Sequence, residues 1–205
     1  MKGDAENYQK PNDDREILQC LAQAAPNLES LTMAISPSMS HFPGRTLSDQ
    51  HFLWTSHNFQ FSRLSVLSLC HIVTTRDSLA DFLRSASPTL RKLIFWNISF
   101  TDDKIFLPGP ERDIICIQEG IRVCQEVCNF LQDNFLLRYL SLGAMKYHRQ
   151  QTGLFDPVHN PEGPNAPVRA SSSACYVEEE TPITFREWIG QLRLIEYRPP
   201  YGLCE

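Results

Sequence analysis

The side chains of this chain best suited to chemistry are its seven cysteines (Cys20, Cys70, Cys116, Cys124, Cys128, Cys175 and Cys204) and its six histidines. Cys124 and Cys128 stand four residues apart, which puts both thiols on one face of a helix. With Cys116 upstream and His148 downstream they make the strongest metal-ligand candidate. The same helical face, however, carries Val127 and Leu131. No CxxC pair and no second cluster at zinc spacing accompanies it. Small thiols buried in a core fit this pattern better than ligands do, so no metal and no other cofactor is expected. An odd, loosely spaced set of cysteines is read as free thiols in a reducing compartment rather than as a disulfide framework.

The histidines (His41, His51, His57, His71, His148 and His159) offer candidate bases, but none stands in a nucleophile–base motif. GxSxG, HExxH, phosphate-loop and GxGxxG patterns do not occur. The expectation is a protein without catalytic residues, not an enzyme. Asn97-Ile98-Ser99 is a glycosylation sequon, given little weight because the start of the chain lacks a secretory signal. The run Glu178–Glu180 could dock a basic partner, but a solvated segment is the simpler reading.

Composition bounds the remaining classes. The chain has 205 residues, of which 42% are hydrophobic and 21% charged, enough to bury a core. A net charge of -5 and a pI near 5.7 argue against a nucleic-acid partner, which calls for clustered cations. No apolar run approaches the roughly 20 residues that a membrane helix needs. The start, MKGDAENYQKPNDDRE, has no apolar signal core. An intracellular protein, cytoplasmic or nuclear, is therefore expected, with no membrane contact.

The elements that would position any site come from a repeated pattern. LxxLxL, with Met or Phe allowed last, occurs at Leu28–Met33, Leu64–Leu69, Leu90–Phe95 and Leu137–Leu142. Its LxL part alternates like a strand, with both apolar residues on one face. The leading Leu enters the same core from the preceding turn. Eight residues after that Leu, three copies add Ile72, Ile98 and Met145, where the first copy has Ser36. Helical stripes precede three of the strands: Ile17, Cys20, Leu21, Ala24; then Leu79, Phe82, Leu83, Ala86; then Cys124, Val127, Cys128, Leu131. Pro26 and Pro88 stand just after the first two, where proline stops further winding. Units of this kind bury their apolar side only by stacking.

These observations predict an α/β fold: a short, irregular leucine-rich-repeat solenoid with parallel strands inside and helices outside. The expected organisation is a polar tail over 1–14 and the repeat domain over 15–148, with insertions at 35–60 and 101–120. A Pro/Ser-rich loop or linker over 149–175 follows, then a capping segment over 176–205. In that segment Thr184 and Glu187 have the spacing of a helix-starting capping box.

The run LSVLSLCHIVTTRDSLADFLRSASPTLRKLIFWNISFTDD, with NFLQDNFLLRYLSLGAM after it, resembles the leucine-rich-repeat region of fungal F-box-type proteins. The likeness covers residues 60–148 well and 15–35 more weakly. It implies a curved parallel sheet and a role in recruiting a substrate, with a ubiquitin-ligase adaptor as a further partner. Residues 1–60 contain no F-box motif that would dock such an adaptor.

Positions two, three and five of LxxLxL face away from the leucine core. One end of that concave face is acidic to neutral, with Glu29, Ser30 and Thr32. The other carries Arg91, Lys92, Ile94, Arg138, Tyr139 and Ser141, the candidate partner-binding residues. Arg and Tyr are favoured interface anchors. The expected function is a protein–protein interaction module of the F-box-like kind; the alternative is a structural scaffold or decayed repeat fragment without ligase coupling.

Overall fold

Each LxxLxL copy ends in a strand whose outward and inward residues alternate as the pattern requires. The structure, a computed structural model, describes residues 13–34, 58–86, 88–101, 111–147, 150–151, 153–156 and 173–196. The first elements are helix α1 (Asp13–Ala24), strand β1 (Ser30–Ala34), β2 (Val66–Cys70), β3 (Val73–Thr74) and helix α2 (Arg76–Ala86). Then come β4 (Lys92–Trp96), β5 (Ser99–Phe100), helix α3 (Glu111–Asn134), β6 (Tyr139–Gly143) and β7 (Lys146–Tyr147). The last are β8 (Gln150–Gln151), β9 (Gly153–Asp156), β10 (Ser173–Val177), helix α4 (Phe185–Gln191) and β11 (Arg193–Glu196). The fold is mixed α/β with a sheet that is mostly parallel and four helices among the described residues.

The main sheet runs β1-β2-β4-β6-β10. Its first four strands are parallel and in register, so Leu31, Leu67, Leu93 and Leu140 form one buried row. Met33, Leu69, Phe95 and Leu142 form the next. The leading Leu64, Leu90 and Leu137 are buried and Leu28 packs partly buried against the core. A second parallel ladder, β3-β5-β7, begins one residue after the buried Ile72, Ile98 and Met145. Between the two ladders His71, Asn97 and Ala144 adopt positive φ, at 58°, 56° and 49°. This left-handed turn recurs because these three units bend at the same place. The His71 N–H donates to the Trp96 carbonyl and the Asn97 N–H to that of Gly143, each at 2.9 Å. The Asn97 amide nitrogen also meets His71 Nδ1 at 2.5 Å, so neighbouring turns are tied together.

Helices α2 and α3 bury the expected stripes: Leu79, Phe82, Leu83 and Ala86 on one, Cys124, Val127, Cys128 and Leu131 on the other. Phe59 and Phe61, from the first long interval, pack edge-on to each other and against Phe82. The α1 stripe differs. Cys20 and Ala24 are exposed, Leu21 is half-buried, and the side chain of Ile17 lies outside the described residues. Ala25, in the short 3-10 turn Ala25–Asn27, is buried instead.

Three expected boundaries are redrawn. Residues 111–120, expected inside an insertion, are helical and form the first turns of α3. The interval 149–175, expected as loop or linker, holds β8, β9 and the start of β10. The capping segment enters the sheet itself, β10 pairing antiparallel with β6 before α4 and β11 follow. Thr184 and Glu187 form the anticipated capping box at the start of α4. The stretches 1–12, 35–57 and 102–110 lie outside the described residues, as do His41, His51, His57, His148, His159 and Cys204. No helix among the described residues is long and apolar enough to cross a membrane.

Candidate functional site

The outward positions of the main sheet line up in three rows across the strands. The first is Ser30, Val66, Lys92, Tyr139 and Val177; the second is Thr32, Ser68, Ile94, Ser141 and Cys175. The third is Ala34, Cys70, Trp96, Gly143 and Ser173. Alternation along each strand fixes this face once the leucine rows fix the other. Adjacent strands lie about 4.8 Å apart, so each row spans about 19 Å.

Lys92, Ile94, Tyr139 and Ser141 all fall on this surface and are half-buried, while Arg91 and Arg138 are exposed at its strand-entry rim. The six expected residues therefore lie on two adjacent strands and directly before them. Their electrostatics differ from one another. The Lys92 ammonium lies 4.5 Å from the centre of the Tyr139 ring, a cation–π contact. Arg138 faces Glu178 at 3.5 Å, so the acidic turn after β10 offsets part of its charge. Arg63 pairs with Glu29 at the other flank. Arg91 donates from Nη1 to the Leu90 carbonyl at 2.9 Å, and among the described residues neither Arg91 nor Lys92 joins an ion pair. Both ion pairs are solvent-exposed, so they shape the field more than they stabilise the fold.

Among the residues of this face that escaped the sequence reading, two bear most on its chemistry. Trp96, two places beyond Ile94, is 45% exposed and its ring lies against Gly143. A Cβ at 143 would stand 2.3 Å from two of its ring carbons, so only glycine admits the indole there. Alternation extended by one step past the LxxLxL motif would have placed Trp96 outward. The other is Cys175 of β10, whose thiol hydrogen-bonds the Tyr139 hydroxyl. That bond, with partial burial, holds the Tyr139 phenol above its usual range, against the opposing hydrogen bond of Ser141. Cys175 could not be assigned to the face from sequence because no leucine pattern marks β10.

Cys124 and Cys128 take the core positions that their helical spacing indicated. Cys116, Cys124 and Cys128 are buried in the α3 core contact, and burial pushes the Cys128 thiol up to about 12, with Cys124 adding to the shift. A thiol so placed stays protonated and is neither a nucleophile nor a ready ligand. Among the described residues no three His, Cys, Asp or Glu side chains are grouped so as to hold a metal ion. A recess of about 530 Å³ lies beyond the strand-entry rim, lined by Leu136, Tyr176, Ile183 and Phe185 among others. Leu136 is 63% exposed there. Compared with known proteins, the chain matches no family model and no curated protein sequence.

Proposed function

We propose that this chain is a short leucine-rich-repeat solenoid that binds another protein on the outward face of its parallel sheet, without chemistry of its own. The observation that carries the reading is the in-register stacking of four LxxLxL strands. That stacking turns Lys92, Ile94, Tyr139 and Ser141 into one continuous surface with Arg91 and Arg138 at its rim. Such a surface combines the Arg and aromatic groups that dominate interface energetics with a rigid backbone. The resemblance to the repeat region of fungal F-box-type proteins extends the proposal to recruitment of a substrate for ubiquitin ligation.

Affinity capture from a native extract tests both levels. The wild-type chain is compared as bait with Arg91→Glu/Arg138→Glu, each shown to be folded. Partners retained by the wild type and lost by the charge-reversed bait are the expected result. Capture unchanged by the reversal would remove the concave face from consideration. A ligase adaptor among the captured proteins supports the F-box-like role; a reproducible partner without one supports a free-standing interaction module.

A further inference from the structure

Strand β4 by itself presents a cation, an aliphatic group and an aromatic ring in one outward line: Lys92, Ile94 and Trp96, with Arg91 directly before them. The flanks are self-compensated, Arg63 by Glu29 and Arg138 by Glu178. Positive charge open to a ligand is thereby concentrated at Arg91 and Lys92. The neighbours of the line are small where a ligand would need room. Ile94 has Ser68 and Ser141 in register on its two sides, and Trp96 has Cys70 and Gly143. Trp96 is also pre-positioned, because the close approach to Gly143 backs one side of its ring while the side chain remains 45% exposed. A ring already held in place loses little freedom on binding.

Distance turns these observations into a specificity. From Lys92 to Trp96 is four residues of strand, about 13 Å at about 3.3 Å per residue. An extended peptide lying along β4 covers the same length in the same number of residues. Resting on the concave-face reading above, we infer that the partner segment is an extended acidic–apolar peptide. A carboxylate meets Arg91 and Lys92, and an apolar side chain four positions away packs on Trp96. The residue midway lies over Ile94. The carboxylate meets the concentrated cations and the apolar residue covers the exposed indole, so neither group alone completes the fit.

The test uses the full chain, labelled with nitrogen-15, and short Gly/Ser peptides carrying one Glu and one Leu. The four-apart peptide is compared with peptides of the same composition spaced two or seven apart, and with Glu→Gln and Leu→Ser versions. The expected result is a shift of the Trp96 indole N–H and of the Lys92 and Ile94 amides. The four-apart peptide should bind about fivefold or more tightly than the others. Trp96→Ala should lower that affinity by about fivefold or more, and Gly143→Ala should do so by displacing the ring rather than removing it. Trp96→Ala alters an exposed side chain, so it remains a valid test if Gly143→Ala fails to fold. Equal binding at every spacing, or indifference to Trp96→Ala, would overturn the inference yet leave the charged face standing. Peptides that shift none of these resonances would overturn it too, while the capture experiment judges the wider reading separately.

Discussion

Leu93 stands at the centre of the buried leucine row, fully buried between Leu67 and Leu140 in register. Leu93→Ala removes three carbons from that row. At about 0.8 kcal/mol per buried methylene the transfer loss is about 2.4 kcal/mol. Neighbours on parallel strands are fixed by backbone hydrogen bonds and close the gap poorly, so a cavity cost brings the total to about 3–4.5 kcal/mol. That is a large part of the roughly 5–15 kcal/mol by which a domain is stable. Ile94, the next residue, points to the opposite face and is half-buried. Ile94→Ala should cost about 1 kcal/mol. In urea, with a slope of about 2 kcal/mol per molar, the two midpoints should fall by about 1.5–2.3 M and about 0.5 M. Circular dichroism at equilibrium reads both. Equal losses, or a smaller loss at Leu93, would refute the assignment of faces on which the candidate site rests.

Ala144 has a left-handed φ of 49°, so Ala144→Gly should stabilise by about 0.5–1 kcal/mol in the same assay. Asn97→Ala removes both a residue type tolerant of φ 56° and the contact with His71, and should cost about 1–2 kcal/mol. The Cys128 thiol keeps its proton up to about pH 12 when folded, against an ordinary value of 9.0. Between those values the unfolded chain releases a proton that the folded one retains. Stability present below pH 9 is then lost as pH rises, by about 1.4 kcal/mol per unit. Denaturation of wild type and Cys128→Ala from pH 8 to 11 should show the steeper decline in the wild type; parallel curves would count against the buried thiol. With maleimide at pH 8 in the folded state, Cys20 and Cys175 should label while Cys116, Cys124 and Cys128 stay unlabelled, as mass spectrometry can count.

The parallel ladder was legible because alternation and the three-residue lead of LxxLxL are strong local signals. They assigned Leu31, Leu67, Leu93 and Leu140 to one row, and Lys92 and Tyr139 to the other side, from spacing alone. The extra apolar residues Ile72, Ile98 and Met145 likewise fell where the core continues. The start of α3 was read too late. Gly120 interrupts the helical pattern, and Pro110, a residue type tolerated at a first turn, stands directly before Glu111. Strand β10 was hidden for a different reason. Its pairing with β6 joins residues at least thirty positions apart, and SACYV follows a Pro/Ser-rich run with no repeat to announce it. The same pairing brought Glu178 to Arg138, so the partial offset of that one charge could not be foreseen. Trp96 was visible as a residue but lay one position beyond the motif used to define the face.

Reversal of direction at β10 also gives the stack two unlike ends. Every step from β1 to β6 adds a parallel strand in register, and that operation could in principle propagate without limit. At β10 the operation ends: a strand added parallel to β10 would run against β6 and turn its unit over. A second copy therefore cannot continue this array by repeating the β1-to-β6 step beyond β10. Among the described residues β1 pairs with β2 alone, so growth by the same rule is confined to that side. Head-to-tail fibres, the standard hazard of a heterologous interface, lack one of their two complementary ends.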